Sequence, residues 1–229
     1  MDERQFLSAV RYRCDDMGEE ELLRSWLGVK EELPQWVVAE VSPRFAYISA
    51  LSEPLSRFIM PRIKIRKGLQ VKNYLAPSDM LAGMSLQQFM SVDNFFQFYT
   101  STQREEFLLK FVACLYLRPH RAFSGKHLVD IEGEAEALRA LPQFTLLAIY
   151  VNWILVKNWL SRTFRYLFSS GGGSTRAEGS PKGTDWLEIF DAFVGDHVAD
   201  MEAYQKMNCM DAFRIMNGKI KSNKQRERS

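Results

Sequence analysis

The chain has 229 residues, of which 46% are hydrophobic and 13% aromatic, enough for a sizeable core, so global disorder is excluded. A net charge of +2 excludes a strong field over the whole molecule. Cys14, Cys114 and Cys209 lie far apart with no CxxC pair, which reads as free thiols in a reducing compartment. MDERQF opens the chain with charge and no apolar signal segment follows, so a cytoplasmic protein is expected.

Residues 3–60 read as short helices punctuated by Pro34, Pro43, Pro54 and Pro61. Phe6, Ala9, Val10 and Arg13 share one helical stripe. Glu19–Trp26 opens with acids, as a helix N-terminus prefers, and Gly28 closes it. PQWVVAEV, PRFAYISAL and PLSRFIM each place proline at a helix's first turn.

At Arg62 the period changes to two. RIKIRKGLQVKNYL, residues 62–75, predicts a β-hairpin. A three-residue loop Arg66-Lys67-Gly68, with Gly68 left-handed, sets Ile65 opposite Leu69 and Ile63 opposite Val71. Arg62, Lys64, Gln70 and Lys72 then share the other face.

Two helices follow, from capping boxes Ser85-x-x-Gln88 and Thr102-x-x-Glu105. Leu86, Phe89, Val92, Phe96 and Tyr99 line the first; Leu108, Phe111, Val112 and Leu115 line the second. An acid-rich helix is predicted over Ile131–Leu141. Residues 142–168, PQFTLLAIYVNWILVKNWLSRTFRYLF, predict a long central helix, ended by Ser169-Ser170-Gly171. Its first half is apolar all round, which argues burial on every side. The apolar stretch Phe144–Val156, about thirteen residues broken only by Thr145 and Asn152, is short of the roughly 20 a membrane span needs, so a core helix is expected.

Residues 169–184 include GGGSTRAEGSPKGT, a linker by composition. Asp185-x-x-Glu188 then caps a helix, and residues 196–217 read as helical. The end, GKIKSNKQRERS, is basic and expected to fray. The expected organisation is a helical body with a hairpin over 1–168, the linker 169–184, and a C-terminal helical segment 185–229.

No catalytic signature emerges. The glycine-rich stretch follows a helix and reads Lys182-Gly183-Thr184, unlike a phosphate loop. His120, His127 and His197 lack metal-ligand spacing. Asp130, Glu132, Glu134 and Glu136 read as a solvated helix start. No enzyme activity, cofactor or metal is expected. Two binding surfaces stand out. Trp186, Ile189, Phe190, Met201, Tyr204, Met207 and Phe213 form a methionine- and aromatic-rich face, suited either to a protein partner or to the body. Arg62, Lys64, Arg66, Lys67, Lys72, Lys221, Lys224 and Arg226 form basic stretches that suit phosphates or serve as solubilising charge on an edge strand.

The middle of the chain resembles small helical proteins encoded in tail modules of phages and prophages of Bacteroidetes-type bacteria, which are similar to tail assembly chaperones. The resemblance covers roughly residues 62–216. It rests on the basic strand, then Pro77 and Leu81, then MSLQQFMSVDNFFQFY, FVACLYLRP, the long aromatic helix, a Gly-rich insert and TDWLEIFDAF. The chain departs from such chaperones, often acidic, in being slightly basic. The resemblance implies a non-enzymatic protein of tail morphogenesis in the host cytoplasm, shielding apolar helices of a tape-measure-type client. A nucleic-acid or anionic-surface binding module is the alternative, using the basic hairpin and tail. The expected fold is mainly α: a multi-helix bundle around the helix at 142–168, with one small β-hairpin at 62–75 and no membrane association.

Overall fold

The computed structural model describes residues 1–41, 51–67, 70–168, 186–195 and 200–226. The fold is mainly α with one antiparallel two-stranded hairpin. The expectations for PRFAYISAL before Leu51, Gly68, the linker 169–184, Asp185 and His197 lie outside the described residues.

The N-terminal helices follow their local signals. Asp2 caps α1 (Glu3–Arg13) in a full capping box with Gln5. Three glutamates open α2 (Glu19–Leu27), and Gly28, at φ 74°, ends it in the left-handed region that glycine tolerates. Pro34 precedes α3 (Gln35–Val41).

PLSRFIM is not helical. Residues 54–60 run irregularly across the body, with Phe58 and Met60 buried. Its backbone groups find distant partners instead of a helix ladder. Leu55 N–H donates to Leu155 O (3.1 Å), and Ile59 N–H to Asn152 Oδ1 (2.7 Å). Asn152 Nδ2 donates to Arg57 O (3.2 Å), and Tyr116 OH to Met60 O (2.6 Å). Buried main-chain polar groups must be paired, and here tertiary partners pair them.

The hairpin forms from β1 (Arg62–Lys67) and β2 (Gln70–Leu75), but in another register. Ile63 pairs with Tyr74, Ile65 with Lys72, Arg66 with Val71, and Lys67 with Gln70. Relative to the three-residue loop, β2 is slipped by three positions, an odd slip that exchanges its faces. Tyr74 turns inward (1% exposed) and Val71 outward (48%). Lys72 moves to the face of Ile65, away from Arg62 and Lys64. Burying the large tyrosine ring gains more than burying valine, provided its hydroxyl finds a partner.

Helices α4 (Leu86–Thr102) and α5 (Glu105–Leu115) make the most extensive helix pair. Ser85 caps α4, yet Gln88 does not close the box; its Nε2 donates to Cys114 O instead (2.9 Å). Thr102 belongs to the end of α4 and bonds back to Phe98 O, so it does not cap α5. In the second half of α5, Leu109, Phe111, Val112, Ala113, Cys114 and Leu115 are each at most 1% exposed, and between Leu109 and Leu115 only Lys110 is half-buried.

After a short α6 (Gly125–Val129), α7 (Ile131–Leu138) ends a turn earlier than its pattern suggested, ahead of Pro142. The long helix α8 runs Gln143–Thr163, its end five residues short of Phe168 because Phe164, at φ −117° and ψ 57°, leaves the helix. It packs on α1 and α5. Trp153, Ile149 and Val156 are fully buried, whereas Leu147, Val151 and Ile154 are only partly covered. By length and composition alone α8 is long and apolar enough to cross a membrane, with half of its most apolar window buried in the fold.

The C-terminal helices are α9 (Trp186–Val194), α10 (Met201–Lys206) and α11 (Cys209–Arg226). The break at Met207-Asn208 divides what the pattern joined. The basic end is helical to Arg226 rather than frayed from Gly218.

Candidate functional site

The C-terminal helices rest on an aromatic seat. Phe89 of α4 meets Phe213 at 4.7 Å between ring centroids and Trp186 at 5.0 Å, both edge to face. Phe168 stands 5.6 Å from Trp186 and 5.5 Å from Phe213, and Phe164 stands 5.7 Å from Phe213. Such edge-on pairs are favoured by the ring quadrupole.

Beneath this cluster lies a buried carboxylate. Asp93 has no exposed surface. Lys157 Nζ of α8 donates to its Oδ1 (2.6 Å), while Trp186 Nε1 (2.7 Å) and Gln97 Nε2 (2.8 Å) donate to its Oδ2. Lys157 Nζ also lies 4.7 Å from the Phe96 ring centroid. A buried carboxylate needs hydrogen-bonding partners, and here three elements, α4, α8 and α9, supply them. Main-chain bonds complete the join: Cys209 N–H to Met84 O (2.9 Å) and Leu86 N–H to Met207 O (2.8 Å). Asn217 Oδ1 accepts from Tyr166 N–H (3.0 Å) and Leu167 N–H (3.1 Å).

The expected partner face is therefore occupied by the body. Trp186, Phe190 and Phe213 are buried, and Ile189, Met201, Tyr204 and Met207 are half-buried. Asp93 and Lys157 were not among the expected site residues. Their signal was present: an acid between Phe89, Val92 and Phe96 on an apolar face, and a lysine closing the apolar run of α8.

A second buried carboxylate corrects the acidic cluster. Glu134 is 6% exposed rather than solvated. It accepts from Tyr74 OH (2.9 Å) and from Arg118 Nε (3.2 Å) and Nη2 (3.0 Å), with Arg121 Nη1 at 3.6 Å. Burial, and then this bond to Glu134, raise the Tyr74 pKa. Arg118 and Arg121 line a cleft of about 190 Å³ with Pro77, Gly83 and His120. Met80, Leu81 and His120 nearby adopt positive φ.

Of the anion-binding residues, Arg62, Lys64, Arg66, Lys221, Lys224 and Arg226 are exposed and Lys72 is half-buried; the Lys67 side chain lies outside the described residues. His127 is buried, with Nε2 3.1 Å from Ala113 O, and His120 is exposed. Among the described residues no group of three or more His, Cys, Asp or Glu is placed to hold a metal ion. Comparison with protein-family models, with curated proteins and with solved structures finds no match.

Proposed function

We propose that this chain is a non-enzymatic, chaperone-like protein of phage or prophage tail morphogenesis, acting in the host cytoplasm on apolar helices of a tape-measure-type client. The observation that carries this reading is the seat of Phe89, Phe164 and Phe168 above Asp93. In the resting protein its own C-terminal helices fill it, through Trp186 and Phe213. In the sequence the Gly/Ser-rich residues 169–184 separate those helices from the body. A client helix with an aromatic ring and a polar N–H can take the place of Trp186. Within this arm the short helices α9 and α10, of 9 and 6 residues, are marginal alone in water and need a surface to pack on, which the seat provides in this state. The residues that bind the partner are then the seat, and the arm is its intramolecular occupant.

Two thiols report on this exchange. Cys209 lies on the arm and Cys114 in α5, both with no exposed surface. Burial pushes the Cys209 thiol up to about 12 and the Cys114 thiol higher still, so neither reacts while covered. With N-ethylmaleimide under native conditions, Cys209 is expected to label at least about tenfold faster than Cys114, because only the arm opens locally. Equal rates overturn the exchange. Gene order tests the setting: a long coiled-coil gene of tape-measure type is expected immediately downstream, and a replication or transposition cluster there refutes it.

A further inference from the structure

The outward face of the hairpin carries a row of cations that the fold itself does not use. Arg62, Lys64 and Arg66 alternate with Ile63 and Ile65, which are buried, so the three cations leave β1 on one side. All three are exposed, and among the described residues none has a carboxylate within 4.0 Å. Arg11, Lys110, Arg118, Arg139 and Lys157 each hold an acid by contrast. From Pro54 to Ser78 the sequence contains no Asp or Glu at all.

The row is also rigid and regular. Its underside is anchored in the core by Ile63, Ile65 and Tyr74, and Tyr74 is tied to Glu134. Alternate residues on a strand lie about 7 Å apart, so the charges form a line rather than a cup. A line of cations suits a polymer of regularly spaced negative charges better than one small anion, which needs converging donors.

The remaining residues of this face narrow the polymer. Across from the cations stand Leu75, Asn73 and Val71. Tyr74, the one aromatic residue of the two strands, points into the core. No ring is therefore offered to unpaired bases, on which single-strand binding relies. Nor does the face carry the aromatic anchors of a membrane-surface element: its apolar members are the exposed Val71 and the half-buried Leu75. A two-stranded ribbon has the width that the major groove of B-form DNA admits, whereas the major groove of A-form RNA is too narrow. We propose that the outward face of this hairpin binds duplex DNA through its phosphates, with Arg62, Lys64 and Arg66 as the contacts. This surface is separate from the aromatic seat, and it stands whether or not the seat takes a client.

The test is fluorescence anisotropy of the full chain with a labelled mixed-sequence duplex at a series of salt concentrations. Three phosphate contacts predict a log–log salt slope of about −2.7, or roughly 40-fold weaker binding between 50 and 200 mM salt. Arg62→Gln/Lys64→Gln/Arg66→Gln is expected to abolish that dependence with an unchanged melting temperature, since all three side chains are exposed. Lys64→Gln alone should flatten the slope by about 0.9, and Lys72→Gln, on the opposite face, should leave it unchanged. Absence of duplex binding at the lowest salt overturns the proposal. So does a triple variant that binds like its parent, which would assign the binding to Lys221, Lys224 and Arg226. Tighter binding to a single strand, or to phosphatidylserine vesicles, than to the duplex overturns it as well.

Discussion

Trp153 has no exposed surface and no hydrogen-bond partner for its indole nitrogen. Packing alone holds it, between Phe58 (6.3 Å, near-parallel), Phe89 (5.6 Å) and Phe111 (6.2 Å). Trp153→Ala leaves a cavity walled by three rings on three different segments, which cannot all collapse into it. The expected loss is about 3–5 kcal/mol in urea denaturation. A loss below about 1 kcal/mol would mean that the ring is not enclosed. The aromatic and apolar character of this position was legible because it lies in the longest apolar run of the chain. The identity of its neighbours was not, since Phe58, Phe89 and Phe111 are brought together only by tertiary packing.

At the scale of elements, the joint between α9 and the body turns on one carboxylate. Asp93→Ala leaves Lys157 and the Trp186 N–H without their acceptor, in a place where water reaches only part of the lysine. Removing one partner of a buried ion pair costs about 3–5 kcal/mol. Trp186→Phe keeps the ring and loses a single hydrogen bond to a charged group, for about 1.5–3 kcal/mol. Both substitutions should speed amide exchange in α9 and α11 while α5 keeps its protection. Uniform loss of protection in all three helices would show that the arm has no opening of its own.

The hairpin teaches a related lesson about elements. Its existence was legible from alternation, but both candidate registers place isoleucine inward on β1. Only β2 discriminates between them, and there the choice depends on Glu134, which lies sixty residues away and provides the acceptor that lets Tyr74 be buried. Thr102 and Gln88 show the same competition at helix ends. Each matched a local capping pattern, and each side chain took another acceptor, Phe98 O and Cys114 O.

For the whole molecule, buried thiols and phenols give stability an alkaline limit. Burial raises Cys114, Cys209, Tyr74, Tyr99 and Tyr116 above their ordinary values of 9.0 for the thiols and 10.0 for the phenols. Below the unfolded thiol value both states hold these protons, so stability is independent of these groups. Above it the unfolded chain ionises first and binds fewer protons than the folded one, so stability falls as pH rises. The fall begins near pH 9 and continues toward about 12, where the folded Cys209 itself ionises. The melting temperature should be level with respect to these groups up to about pH 8.5 and then decline, with a shallower decline in Cys209→Ala. A melting temperature unchanged through pH 11 would refute this.

Composition and period determined the fold class: helical spacing over most of the chain, one stretch of alternation at 62–75, and proline and glycine between them. Those signals act over a few residues, so the chain carries them without a partner. Gly28 ends α2, Ser85 caps α4 and Pro34 precedes α3 for reasons contained in their own neighbourhoods. The tertiary structure decided what depends on distant groups. It made residues 54–60 irregular, because Asn152 and Leu155 supply their hydrogen bonds. It buried Glu134, because Arg118 and Tyr74 neutralise and satisfy it. It turned the methionine- and aromatic-rich C-terminal face toward the body, because Asp93 and the Phe89 ring receive Trp186 there. An apolar face must be covered for the same hydrophobic reason whether by its own chain or by another. Its composition therefore shows that something covers it, and only the folded arrangement shows that in this state the cover is the chain itself.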